Sequence, residues 1–141
     1  MKSNYLKITP LFIVLLAVNF CFMSCDDDDG VGASVSINET GSDFGGDVTG
    51  NGGSTQQVYT WNNPEFTVDW NMDITATPGS SFNLRIDDTD DRNVLDQTLR
   101  VGLGDDSRSG VSLPGARGQW TITVTLTDFN GDGSFSISPG D

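Results

Sequence analysis

A chain of 141 residues has room for one ordinary domain, since a single core organises roughly 100 to 150 residues. Its 20 acidic residues against 7 basic ones give a formal charge of −13, which repels phosphate backbones and anionic headgroups and sets nucleic acid aside as a partner. Histidine is absent, and with it go the usual proton shuttle near neutral pH and the commonest metal ligand.

The first residues read as an export signal. Lys2 and Lys7 precede an apolar run over residues 11–22, and Met23, Ser24 and Cys25 follow it. The run falls short of the ~20 residues that span a bilayer as a helix, so it reads as the centre of a cleaved signal peptide and not as an anchor. Cys21 and Cys25 both sit at its end, which leaves no disulfide for a mature core.

A small residue before a cysteine at the end of such a run, here Ser24-Cys25, resembles the lipobox of bacterial lipoproteins. That family prefers leucine three residues before the cysteine and a small residue two before, where this chain has Phe22 and Met23; Cys21 follows the bulky Phe20 and fits less well. The resemblance implies that residues 1–24 are removed and that Cys25 carries acyl chains such as palmitate, making the membrane a partner through a lipid anchor. At about 0.8 kcal/mol per buried methylene, more than one chain gives stable anchoring. Asp26, Asp27, Asp28 and Asp29 follow directly and resemble the acidic run that routes some Gram-negative lipoproteins to the exterior face of the outer membrane. On that reading residues 25–32 are a lipidated cysteine with an acidic tether, and the domain faces the cell exterior; the alternative is a plain solvated spacer.

Residues 33–141 are expected to form an all-β domain. Ala33 to Glu39 alternates and reads as a first strand. Residues 41–53 hold glycine at 41, 45, 46, 50, 52 and 53 with only Phe44 and Val48 as apolar members, and are expected to be a loop or tether. Residues 67–75 place Val68, Trp70, Met72 and Ile74 on one face and Asp69, Asn71 and Asp73 on the other. The pattern returns in Phe82, Leu84 and Ile86, in Leu99, Val101 and Leu103, and in residues 120–127, where threonine alternates with Trp120, Ile122, Val124 and Leu126. Phe135 and Ile137 mark a last strand. Asn63-Pro64, Pro78-Gly79, Pro114-Gly115 and Asn130-Gly131 read as the turns between strands. Six or more short strands so spaced predict an antiparallel β-sandwich of jelly-roll or Ig-like type.

The series from residues 82–88 through the Leu113-Pro-Gly turn and residues 118–124 to Phe135 and Ile137 is similar to secreted jelly-roll modules, among them domains C-terminal to bacterial peptidases and P-domain or CUB-like sandwiches. The resemblance covers about residues 66–138 and implies an accessory, non-catalytic role.

Three groups of residues are candidates for chemistry. Asp128, Asn130 and Asp132 with Gly133 match the first half of an EF-hand-type calcium loop, but Pro139 stands where the bidentate glutamate belongs, so a hairpin connection is the rival reading. Asp87, Asp88, Asp90 and Asp91 form a carboxylate cluster expected to share a sandwich edge with Asp105 and Asp106, where calcium or water relieves the repulsion. Tyr59 and Trp61, with Phe66, bracket Asn62-Asn63-Pro64 and offer faces for a sugar or a protein, or else pack into the core. Calcium is thus the one cofactor considered. Past residue 25 there is no lysine, cysteine or Gly-x-Ser-x-Gly, so the familiar activated nucleophiles cannot be assembled and no enzyme is expected. The expectation is a lipid-anchored, surface-exposed sandwich with a binding or structural role in the bacterial envelope; the alternative is a calcium-dependent adhesion or glycan-binding module.

Overall fold

The computed structural model describes residues 31–102 and 106–140. They form seven strands and no helix: β1 (Ala33–Thr40), β2 (Asp43–Asn63), β3 (Val68–Ala76), β4 (Ser81–Asp87), β5 (Asn93–Arg100), β6 (Ser107–Val111) and β7 (Gly118–Pro139). All pairings are antiparallel. The fold is therefore the expected all-β, antiparallel one.

Two strands, β2 and β7, are far longer than the rest and belong to two layers at once. The first half of β2 and the second half of β7 pair with each other between β1 and β3, and β6 closes that layer beyond β3. The second half of β2 pairs with the first half of β7, which carries β4 and then β5 on its other side. An extended strand would hold Phe44 and Tyr59 about 50 Å apart at ~3.3 Å per residue. Their ring centroids lie 5.6 Å apart, so β2 doubles back on itself. Phe82 of one layer meets Phe135 of the other edge-on at 6.1 Å, and the Trp61 indole N–H donates to the Ser42 carbonyl at 3.0 Å across the gap.

The bend requires the inward face to change parity. In β7 the buried residues are Trp120, Ile122, Val124 and Leu126, then Phe129, Phe135 and Ile137. Even positions give way to odd ones at Asp128, whose φ of 45° breaks the alternation. The β2 ladder shifts opposite, between Asn51 and Gly53 and again between Gly53 and Thr55. Corners made by bulged strands that pass between layers are how closely packed sheets turn. Ser80, fully buried, pins this one: its hydroxyl donates to the Asp128 carbonyl and accepts from the Asn130 N–H at 3.0 Å.

Two expectations need correction. Residues 43–53 are strand, not loop, because the glycines there admit close neighbours; a Cβ on Gly53 would overlap the backbone of Gly32. Asn130-Gly131 is not a hairpin turn but part of the β7 corner, so residues 120–127 and 134–138 are one strand rather than two. In addition β5 stops at Arg100, before Val101, and Leu103 lies outside the described residues. The turns at Asn63-Pro64, Pro78-Gly79 and Pro114-Gly115 stand between strands as expected.

Every strand runs between two ends. The corner end holds the start of β1, the segment 77–80 and the bulges; the far end, called the tip here, holds residues 64–67, 88–92 and 112–117. At the corner Gly131 takes φ 148°, and a Cβ there would overlap the backbone of Thr75 and Ala76. Gly131→Ala is expected to cost about 2–4 kcal/mol, read as a lower midpoint in thermal or urea unfolding.

Candidate functional site

The carboxylate cluster of residues 87–91 sits at the tip, and its chemistry is structural. Asp88 is 2 % exposed. Its Oδ1 accepts the backbone N–H groups of Asp90 and Arg92 at 2.9 Å, and its Oδ2 accepts the Ala116 N–H and the Arg92 guanidinium at 2.8 Å. Burial pushes this carboxyl up, but the N–H groups of Ala116, Arg92 and Asp90 and the guanidinium together hold it down at about 2. Asp87 is lowered too, chiefly by its hydrogen bond from Arg85, whose Nη2 stands 2.8 Å away. Asp88 thus clamps the β4–β5 loop to residues 115–117. The neighbouring Gly115 leaves room for it, since a Cβ there would lie 2.8 Å from the Asp88 side chain.

Asp128, Asn130 and Asp132 lie at the other end of the molecule. Asp87 pairs with Thr121 on β7, seven residues before Asp128, which corresponds to about 23 Å of strand. The Asp128 N–H is bound by the Ser54 hydroxyl at 2.9 Å, while Asn130 and Asp132 line an open groove of about 630 Å³ with Ser34, Thr49 and Asn51. Among the described residues no three carboxylates converge on one point. Nor do Asp87, Asp88, Asp90 and Asp91 group with the acidic pair ahead of β6, since the Asp106 carbonyl is tied to the Ile74 N–H and Asp105 lies outside the described residues. Cys25 and Asp26, Asp27, Asp28 and Asp29 lie outside them as well.

Tyr59 and Trp61 pack against the core. Both are half-buried against the core; burial raises the Tyr59 phenol, and the Trp61 N–H is bound by Ser42. The exposed aromatic beside them is Phe66, at 55 %. Asn63, fully buried, sets it there: its amide donates to the Thr67 carbonyl and accepts the Glu65 N–H, both at 3.1 Å, a tight loop around Pro64. Arg117 then stacks over the Phe66 ring at 4.2 Å and pairs with Glu65 at 3.0 Å. Leu113, 67 % exposed, follows β6 at the same end. This aromatic, cationic and acidic group joins residues 65–66 to residue 117, and no local pattern in the sequence signals a pairing over such a separation. The exposed ring was legible only as one of three aromatics bracketing a turn.

No known protein family and no curated protein matches the chain. Among solved structures it is similar to the carbohydrate-binding module TmCBM61 in complex with β-1,4-galactotriose, at 12 % identity and TM-score 0.42, over 75 % of this chain and 83 % of that one. It is also similar to a structure described as CBM4, at 14 % identity and TM-score 0.38, over 81 % and 82 % of the two chains.

The lowered Asp88 pKa has a definite sign. A carboxyl at about 2 when folded, against an ordinary value of 3.8, stabilises the fold by about 2 kcal/mol at neutral pH. That contribution is complete above about pH 4 and is lost as pH falls towards 2. Asp88→Asn is therefore expected to lower the melting temperature at neutral pH, and the gap to wild type should shrink steadily between about pH 4 and pH 2.

Proposed function

We propose that the chain is a lipid-anchored, non-catalytic binding module of a bacterial envelope, held through Cys25 and presenting its recognition surface at the tip. The observation that carries this reading is the opposition of the two ends: β1 starts at the corner, whereas Phe66, Arg117 and Glu65 stand at the tip. From Cys25 to Ala33 an extended tether reaches about 26 Å. A sandwich so held turns its corner end to the membrane and its tip outwards. The sequence features in favour are the apolar run, Ser24-Cys25 and the acidic residues 26–29, which also favour the exterior of the outer membrane.

A binding role fits the side chains better than a catalytic one. The buried acid of the described residues, Asp88, is engaged by backbone N–H groups and a guanidinium, which leaves it no face to exchange a proton. Among partners, the tip favours a glycan or a protein loop: a projecting ring offers a stacking face, and the Glu65–Arg117 pair offers an acceptor and donors beside it.

Metabolic labelling with an alkyne fatty acid tests the anchor. Wild type should incorporate the label and Cys25→Ala should lose it; equal incorporation in both, or none in either, removes the premise. The tip is tested by Phe66→Ala, which should weaken binding on a glycan or cell-surface array about tenfold, roughly 1.4 kcal/mol, while leaving the melt of this exposed position unchanged. Undiminished binding would move the recognition surface elsewhere.

A further inference from the structure

One strand edge of this sandwich stands apart from the others. Residues 55–63 of β2 pair with β7 on one side, and on the other side β1 reaches only as far as Gly50, so among the described residues that outer edge has no partner strand. Backbone N–H and C=O groups along such an edge bind another extended strand, and soluble proteins blunt the edge with charge, proline or shortness. None of these devices is present. No charged residue stands between Asp47 and Glu65, and Pro64 falls only after the strand has ended. Tyr59, Thr60, Trp61 and Val58 are strong strand formers.

The other edges are guarded. The β5 edge carries Asp96 and Arg100 and follows Asp90, Asp91 and Arg92; β6 is five residues long and carries Arg108. The β1 edge carries Glu39, its end is paired with Asp43, and residues 26–29 lie ahead of it in sequence. In a chain of net charge −13 a contact between two copies along the β1, β5 or β6 edge has to bring charged side chains to the seam. Self-contact without that cost is available along residues 55–63.

We infer that this edge pairs with the same edge of a second copy, antiparallel about a two-fold axis at Val58. Val58 is 59 % exposed in the middle of the edge. Pairing centred there sets Val58 against its counterpart, Gln56 beside Thr60 and Gln57 beside Tyr59, and joins the two layers carrying β7, β4 and β5 into one continuous sheet. The contact is isologous, as a two-fold demands. A single strand pair covers less area than the ~1,200–2,000 Å² of a standard interface, so it forms at high local concentration, such as copies arrayed on two apposed surfaces provide. Antiparallel pairing also sends the start of β1 in the two copies to opposite ends of the dimer. If the chain is anchored as proposed above, the partners come from facing membranes.

The test is the mass of the full chain in mild detergent, by light scattering with the detergent contribution subtracted, over a rising concentration series. Wild type should reach twice the mass of one chain. Val58→Lys and Val58→Glu should each stay at one chain with an unchanged melt, and their equal mixture should regain the doubled mass. A wild type that stays at one chain overturns the inference and assigns the edge to a strand of another protein or of the tether; a Val58→Lys variant that still doubles overturns it by placing the contact elsewhere. The facing-membrane arrangement rests on the anchor and is read separately: vesicles carrying the wild-type lipoprotein should cluster and those carrying Val58→Lys should not. Doubled mass without clustering rejects that arrangement alone.

Discussion

Two strands must serve two layers, and a strand keeps one face inward only if its alternation of two is broken where it turns. Everything else in the molecule follows from how β2 and β7 meet that demand at the same level. Asp128 at φ 45° shifts the parity of β7, while the paired irregularities around Gly53 shift β2 opposite it. Without the shift, either the Trp120–Leu126 set or the Phe129–Ile137 set would face water. Each such side chain is worth roughly 1.5–3 kcal/mol when buried, before the entropy of ordering it is subtracted. The corner is thus the condition for having one core instead of two exposed sheets, and the Ser80 hydroxyl, bonded on both sides of the bulge, holds the geometry in place.

The tip shows a second use of buried polarity. Asp88 and Asn63 are both enclosed, and both work by satisfying backbone groups that loops otherwise leave orphaned. A carboxylate that accepts three backbone N–H groups orders two loops at once, because Asp88 belongs to residues 88–92 and Ala116 to the segment before β7. Phe66 and Arg117 inherit their positions from these two clamps. Their exposure is therefore held by a rigid support, the arrangement through which protruding side chains bind with little entropy to lose.

Much of the architecture was legible from period two. The inward sets of β3, β4 and the first half of β7 read directly from the sequence, because each is a short run in which water and core impose opposite chemistry on successive residues. The corner was not legible. Asn-Gly and Gly-rich stretches carry the same local preference whether the chain reverses or bulges, and the choice between them is made by pairing to residues more than 70 positions away, such as Ser54 with Asp128. The acidic cluster was legible only in part for a related reason: composition shows carboxylates together but not which of them is buried, and Asp88 is distinguished from Asp90 and Asp91 only by what folds over it. Tyr59 and Trp61 read correctly as two apart on one face, but whether that face looks in or out depends on how far β2 doubles back.

The position of β7 in the chain has a kinetic corollary. It is the shared neighbour of β2, β3 and β4, yet it follows all of them, so three of the six strand pairings among the described residues wait on its synthesis. Nascent chains elongate at about 5–20 residues per second, and folds dominated by such distant contacts close in milliseconds to seconds. Until β7 emerges this polypeptide holds at most the β1–β2, β4–β5 and β3–β6 pairs, none with a covered apolar face. A chain of this design stays threadable until its last long strand is made.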